Sequence, residues 1–275
     1  MTQQRIERSR ASARPRAESV LAASVVGYRL FRMSPGDMQA LRRRPGPVPE
    51  GWKRVPPSLL RYADEQTVAG IAAVFAAIEA MATRPERFHD WGVVAASRYL
   101  GRANLAIALR SFMAEGVWGT SPHLIPHFAL HSQSGTISLA LGSHGPNLGV
   151  GGGLHSAADG FLTALTWLAT GVVPGVWLIL SGWSPELVPA PHGNGPPSGE
   201  CQALALAMVS VGIEVGRPAF RARFTSDRIH AEAPLDLARL DQALAGRVTQ
   251  SPRTIATDAR GRLCVELYDG SDSPG

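Results

Sequence analysis

Small residues, a leucine and a histidine meet in one short stretch, Gly151-Gly152-Gly153-Leu154-His155. It lies between a short strand-like run and a helix-like run that begins Ser156-Ala157-Ala158-Asp159-Gly160-Phe161. A strand, a tight glycine turn and a helix start put the turn residue at a helix N-terminus. Free amides and the helix dipole favour developing negative charge there. Such a position activates a nucleophile. The turn residue here is Leu154, so the stretch has the form of a catalytic site without its reactive residue. His155 could serve as a general base; the alternative is a helix N-terminal histidine packed at an interface.

Other chemistries find less support. His123, His127 and His131 stand at i, i+4 and i+8. On one continuous helix they would share a face, as zinc ligands can. Pro126 marks a helix start that leaves His123 outside, and no acidic residue is near in sequence, so no metal site is expected. The triple glycine lacks the Gly-Lys-Ser/Thr ending of a phosphate loop. Its spacing does not fit a dinucleotide fingerprint, and no acidic residue ends a following strand. Close backbone approach at a turn explains it better. No Ser/His/Asp triad is evident, and no cofactor is expected. Cys201, inside an apolar run, reads as a packed thiol.

The elements that must position the turn follow from hydropathy patterning. Residues 20–31 read as a strand and 33–58, rich in Pro, Gly and Arg, as a loop. A helix is expected over 64–81, a strand over 92–96, a helix over 101–115 and a third helix over 127–141. The strand 147–151, the helix 155–171 and the strand 176–181 follow. A Pro/Gly loop covers 184–199, and a strand covers 202–211. Ser134-Gly135-Thr136 would let the third helix pack closely on the turn. The order βαβααβαβ(loop)β indicates a layered α/β sheet. Beyond it, a strand within 217–230, a short helix over 234–245 and a strand over 262–268 are expected, with a disordered end from 269.

The chain has 275 residues, 45% of them hydrophobic and 18% charged, enough for one sizeable core or two small domains. Its formal net charge of +5 is carried by arginine; Lys53 is the only lysine. No basic stripe is interleaved with aromatic residues, so no nucleic-acid partner is expected. A basic surface does suit an acidic carrier protein. Cys201 and Cys264 form neither a zinc motif nor a disulfide framework, which points to a reducing cytoplasm. Residues 1–19 read as a disordered basic leader; the apolar run after it is too short for a signal peptide. No apolar stretch has the length and purity of a membrane span.

The run Ser138-Leu139-Ala140-Leu141-Gly142-Ser143-His144-Gly145-Pro146-Asn147-Leu148 resembles the Leu-Gly-x-x-Gly-Pro-x run of β-ketoacyl synthases of the thiolase fold. Gly199-Glu200-Cys201-Gln202-Ala203-Leu204-Ala205-Leu206 resembles their Gly-Glu-Gly-Ala-Ala-Ala-Leu strand. The wording Gly-Leu-His-Ser-Ala-Ala-Asp-Gly-Phe is similar to the cysteine-less, chain-length-factor-like partners of aryl polyene type ketosynthases. The resemblance spans residues 20–215 and is specific within 121–212.

The resemblance implies a thiolase-like layered α/β/α half with a mixed sheet, lacking a complete second half. Residues 216–275 would be a short C-terminal extension. The family's two histidines, in His-Gly-Thr and Gly-His contexts, have no counterpart after residue 212. Leu154 takes the position of the acyl-accepting cysteine. Phe128, Leu130, His131, Ser134, Gly153, Leu154 and His155 would border an acyl tunnel or a subunit interface, with ordinary core packing the alternative for Phe128, Leu130 and His131. The implied role is a non-catalytic subunit pairing with an active ketosynthase across the edge at 147–151, with acyl carrier protein reached through the complex. The pathway would be fatty acid, polyketide or polyene-type biosynthesis. Two alternatives are an acyl- or small-molecule-binding homodimer and an enzyme of altered acyl chemistry using His155 or His131.

Overall fold

The computed structural model describes residues 20–43, 48–52, 55–121, 124–186, 199–212, 217–225, 235–246 and 253–269. The expected leader 1–19, His123, Lys53, most of the 184–199 loop and the expected disordered end beyond 269 lie outside these residues.

Eight strands form one mixed sheet: β1 (Leu21–Met33), β2 (Gly92–Ser97), β3 (Asn147–Gly151), β4 (Val176–Ser184), β5 (Glu200–Ser210), β6 (Pro218–Phe224), β7 (Arg253–Thr257) and β8 (Leu263–Asp269). Their order is β3-β2-β4-β5-β1-β6-β8-β7. β2 runs parallel to β3 and β4; every other pair is antiparallel. β2 and β4 are apolar along most of their length because both faces are covered, as parallel strands at a sheet centre require.

Helices α3 (Glu65–Met81) and α6 (Leu130–Leu141) cover one face, burying Ile71, Phe75, Ile78 and Ile137 against Trp177, Ile179 and the alanines of β5. Helices α7 (Ser156–Ala169) and α8 (Leu237–Leu244) cover the other, burying Phe161, Leu165 and Leu240 against Leu178, Leu204 and Phe220. This is the expected layered α/β/α arrangement. β6 pairs only with Leu21–Ser24 of β1, and β8 and β7 follow it. They bring Val265, Leu263 and Ala256 into the core around α7, so β6, β8 and β7 extend the same sheet.

Three details differ from the reading of the sequence. The segment 33–58 is not all loop: α1 (Pro35–Arg43) forms there, and α2 (Pro57–Arg61) starts at its end. A reciprocal cap starts α1: the Ser34 amide donates to Asp37 Oδ2 at 3.0 Å and the Asp37 amide to Ser34 Oγ at 3.3 Å. The third helix is two, α5 (Leu124–Phe128) and α6, broken by Ala129 in an extended conformation, ψ 143°. Helix α5 also begins before Pro126, which its first turn tolerates. The third difference is β7, which the hydropathy pattern did not show.

A buried polar network pins α3 and α6 to the sheet. Gln133 of α6 is fully buried. Its Nε2 donates to the Gln66 carbonyl at 2.7 Å and to Ser181 Oγ at 3.2 Å, and Ser97 Oγ donates to its Oε1. Ser181 Oγ donates to Gln66 Oε1 at 2.9 Å, and Gln66 Nε2 to the Arg98 carbonyl at 2.9 Å. Gln133→Leu strands several of these buried groups and should lower unfolding stability by about 3 kcal/mol. Urea unfolding checks this: the midpoint falls while the denaturant slope stays constant.

Candidate functional site

Strand β3 is the outermost strand at one end of the sheet. It pairs with β2 in the register Val93↔Asn147 to Ser97↔Gly151 and, among the described residues, has no neighbour on its other side. Its glycines are spatial requirements. A Cβ on Gly149 would lie 2.0 Å from the Leu130 carbonyl oxygen, where the start of α6 crosses the strand. Gly151, at φ +83°, opens the turn, and a Cβ there would meet Ser156 Cβ at 2.4 Å. L residues rarely hold that backbone conformation.

The turn delivers Leu154, 43% exposed, and His155, exposed, to the start of α7. Gly153 faces open space. His155 occupies the N-cap but makes no side-chain capping bond. Its Nδ1 lies 3.0 Å from the Thr257 carbonyl of β7, so this nitrogen carries the proton and Nε2 is the basic one when the ring is neutral. Asp159 stands in the first turn of α7, where an acidic side chain complements the dipole. Burial pushes its carboxyl up, His155 opposes that, and Asp258 adds to it.

No nucleophile occupies this turn. The buried Cys201 lies in β5, and burial pushes its thiol well above the ordinary range, with Asp64, Glu65 and Glu186 adding to the effect. Cys264 is buried in β8, 3.2 Å from Thr254 Oγ1, and burial raises its thiol too. A protonated, inaccessible thiol neither attacks nor ligates.

The other residues singled out from the sequence separate into two groups. Leu130, half-buried, comes within 3.5 Å of where a Cβ on Gly152 would stand, and so joins Gly153 and Leu154 around the turn. Exposed His131 lies one residue on, close to Gly135. Ser134 is fully buried, and its hydroxyl donates to the His131 carbonyl at 3.1 Å. Gly135 faces Asn147 rather than the 151–153 turn. Phe128 is drawn away from the turn, against Gly101. His127 stacks near Tyr62 at 5.9 Å, and the break at Ala129 keeps it off a common helix face with His131. Among the described residues no three His, Cys, Asp or Glu side chains form a group suited to a metal ion.

The sequence reading missed a surface. Helix α4 (Arg102–Glu115) and the 3-10 turn Gly116–Gly119 pack chiefly on each other. They leave Ile107 55%, Leu109 62%, Met113 85% and Trp118 94% exposed. A helix apolar on most sides is ordinarily a buried one. The pattern Leu105, Ile107, Leu109, Phe112, Met113 carried that signal. Leu148 on β3 and Leu139 on α6 are exposed apolar residues as well. No helix among the described residues is long and apolar enough to cross a membrane.

No protein-family model and no curated protein matches the chain. Solved structures do. The complex of the ketosynthase ApeO with its chain length factor ApeC from Xenorhabdus doucetiae contains a chain that aligns with TM-score 0.56 at 14% identity, over 90% of this chain and 99% of that one. The ishigamide ketosynthase/chain length factor aligns with TM-score 0.52 at 17% identity, over 75% of this chain and 68% of that one. A type II ketosynthase–carrier complex, AntDE:AntF, aligns over only 62% of its own chain, with TM-score 0.48. The chain therefore spans less than two thirds of that last relative. The first two likenesses establish the architecture: the chain has the ketosynthase-like thiolase fold.

Proposed function

We propose that the chain is a non-catalytic, chain-length-factor-like subunit that pairs through the β3 edge with an active β-ketoacyl synthase. The observation that carries the reading is the conjunction at one end of the molecule of an unpaired strand, an uncovered apolar hairpin and a helix-start turn whose residue is Leu154. An unpaired edge is a template for another strand, and natural proteins blunt such edges when nothing is to be added. This edge carries Leu148 and no charged side chain. An exposed apolar patch marks a protein interface, and α4 with the Gly116–Gly119 turn exposes Ile107, Leu109, Met113 and Trp118.

In this reading the partner supplies the thiolate and the histidines that condensation requires. This chain contributes wall residues, with Leu130, Gly153 and Leu154 nearest the joint. Acyl carrier protein reaches the site through the complex, drawn by the basic balance of the chain. The likeness to ketosynthase/chain length factor assemblies supports the choice of partner, and the product class is fatty acid, polyketide or polyene-type. The apolar rim equally suits a second copy of the chain, which the first test separates.

Coexpression with the ketosynthase encoded nearest to this chain, followed by affinity capture and native mass measurement, should give a stoichiometric heterodimer. A stable homodimer that ignores the ketosynthase overturns the reading. Leu148→Arg replaces an exposed side chain and should leave the monomer's stability within about 0.5 kcal/mol. In the joint it buries an unpaired charge, so the heterodimer should weaken by about tenfold or more. Dissociation measured by interferometry checks this, with circular dichroism as the control for folding.

A further inference from the structure

The hairpin of α4 and Gly116–Gly119 leaves the sheet beside the end of β3. Ser97 closes β2 opposite Gly151 of β3, and the chain turns into α4 at Gly101, where φ is +70°. A Cβ on Gly101 would meet Phe128 Cβ at 2.7 Å. Two residues past Phe128, Leu130 lies across β3 at Gly149. The base of the hairpin, α5 and the strand edge therefore adjoin.

The hairpin is preformed. Thr120 Oγ1 donates to the Ala108 carbonyl at 3.3 Å, which ties the end of the turn back to the middle of α4. A Cβ on Gly119 would lie 2.6 Å from the Ser111 carbonyl oxygen, so only glycine lets the turn approach this closely.

Its outer surface is apolar on two sides. Leu105, Leu109, Phe112 and Met113 stand at i, i+4, i+7 and i+8 and share one face of α4. Ile107, two residues after Leu105, stands on the opposite face and is exposed too. Trp118 is exposed in the turn. Together these side chains offer an area on the order of several hundred Å², the share that one partner brings to a standard interface. A flat surface would cover one side of such a helix only. A helix apolar on both sides fits between two walls.

We propose that the hairpin is a preformed arm that inserts into an apolar, two-walled groove of the ketosynthase subunit, with Met113 and Trp118 as its anchors. The identity of the occupant rests on the pairing proposed above. The arm adjoins the β3 edge, so both can engage one partner at once. A preformed arm loses little freedom on docking, and large apolar side chains in a closed groove dominate binding. The groove must also offer an acceptor to the Trp118 indole N–H.

Two other occupants fit less well. Arg110 and Glu115 are exposed on the same helix, and hydrocarbon accepts such charges only at high cost. The cavity at the base of the arm is lined in part by Asp64, Glu65, Arg102 and Glu186, so a second copy presents a polar cleft there, not an apolar groove.

The test uses the full chain and the coexpressed ketosynthase. Met113→Ser and Trp118→Ser alter side chains that stand in solvent in the free chain, so circular dichroism should not change. Each should weaken the heterodimer about tenfold or more in interferometry. Gly119→Ala removes no apolar side chain but opens the hairpin, and it should weaken the heterodimer as well; unchanged affinity there overturns the preformed arm. Tryptophan emission should move to shorter wavelength when the wild-type complex assembles, and this shift should be absent with Trp118→Phe. A heterodimer that forms equally tightly with both serine variants overturns the arm and leaves the pairing intact. Failure of the wild-type chain to bind the ketosynthase overturns the pairing and, with it, the occupant. A homodimer that both serine variants dissolve, or binding to phosphatidylglycerol vesicles that both abolish, assigns the arm to another occupant and overturns the proposal.

Discussion

The buried amide of Gln133 is the constraint on which the candidate site depends. It lies on α6 where α3, β2 and β4 meet, and its hydrogen-bonding groups find partners on those three. In an apolar core an unmet amide group costs about as much as the net gain of several hydrogen bonds, so α6 has one seat, not a range of them. Gly70 shows how close the seat is: a Cβ there would come 2.8 Å from Gln133 Nε2. With α6 fixed, its first residues cross β3 at Gly149, and the strand is forced to the outside of the sheet beside a helix start. The turn at Gly151 and the exposure of Leu154 follow from that placement. Polar burial here specifies geometry rather than adding stability.

The opposite end of the sheet solves a different problem. Helix α7 is apolar on the face that meets β2 and β4, and it carries further apolar residues, Leu162 and Trp167, toward its flanks. In a complete two-half fold a second layer would cover them. Here β6, β8 and β7 swing around α7 from a short pairing with β1, α8 fills in beneath, and Thr257 reaches His155. The chain thus encloses one helix with its own C-terminal strands. It has no comparable cover for the α4 hairpin among the described residues. One apolar surface is dealt with internally, and the other stays exposed among the described residues.

Much of this was legible in the sequence, and the failures have physical causes. β2, β4, α3 and α7 are long or uniformly apolar, so their periodicity alone defines them. The glycine turn was legible because only glycine tolerates both the backbone angles and the neighbour at Gly151. Helix α1 was hidden by its arginines and prolines, although Ser34 and Asp37 stand at capping-box spacing. The break at Ala129 was not legible: alanine favours helix, and the bend comes from the crossing of α6 over β3 together with Ser132 Oγ bonding back to the His127 carbonyl at 2.8 Å. β7 was missed for the same kind of reason, since Arg253–Thr257 is a strand only because β8 lies beside it. The exposed hairpin was missed because a sequence shows which residues are apolar but not whether anything covers them.

The turn at Leu154 differs from a nucleophile-bearing helix start in more than its residue type. A nucleophile at a helix start works because the surroundings favour its anion. Here Asp159 stands on the same first turn, with Asp258 near enough to raise it further, so an anion placed at the turn would face negative charge. His155, which could offset this when protonated, commits Nδ1 to the Thr257 carbonyl and so has its orientation set by the C-terminal strands. The helix-start amides and dipole remain, with acidic Asp159 standing on the same turn. The features that remain are those that survive without chemistry: a strand edge, a glycine turn that keeps space open, and leucines facing outward. Shape and apolarity of this kind fit the proposed role of bordering another subunit's reaction.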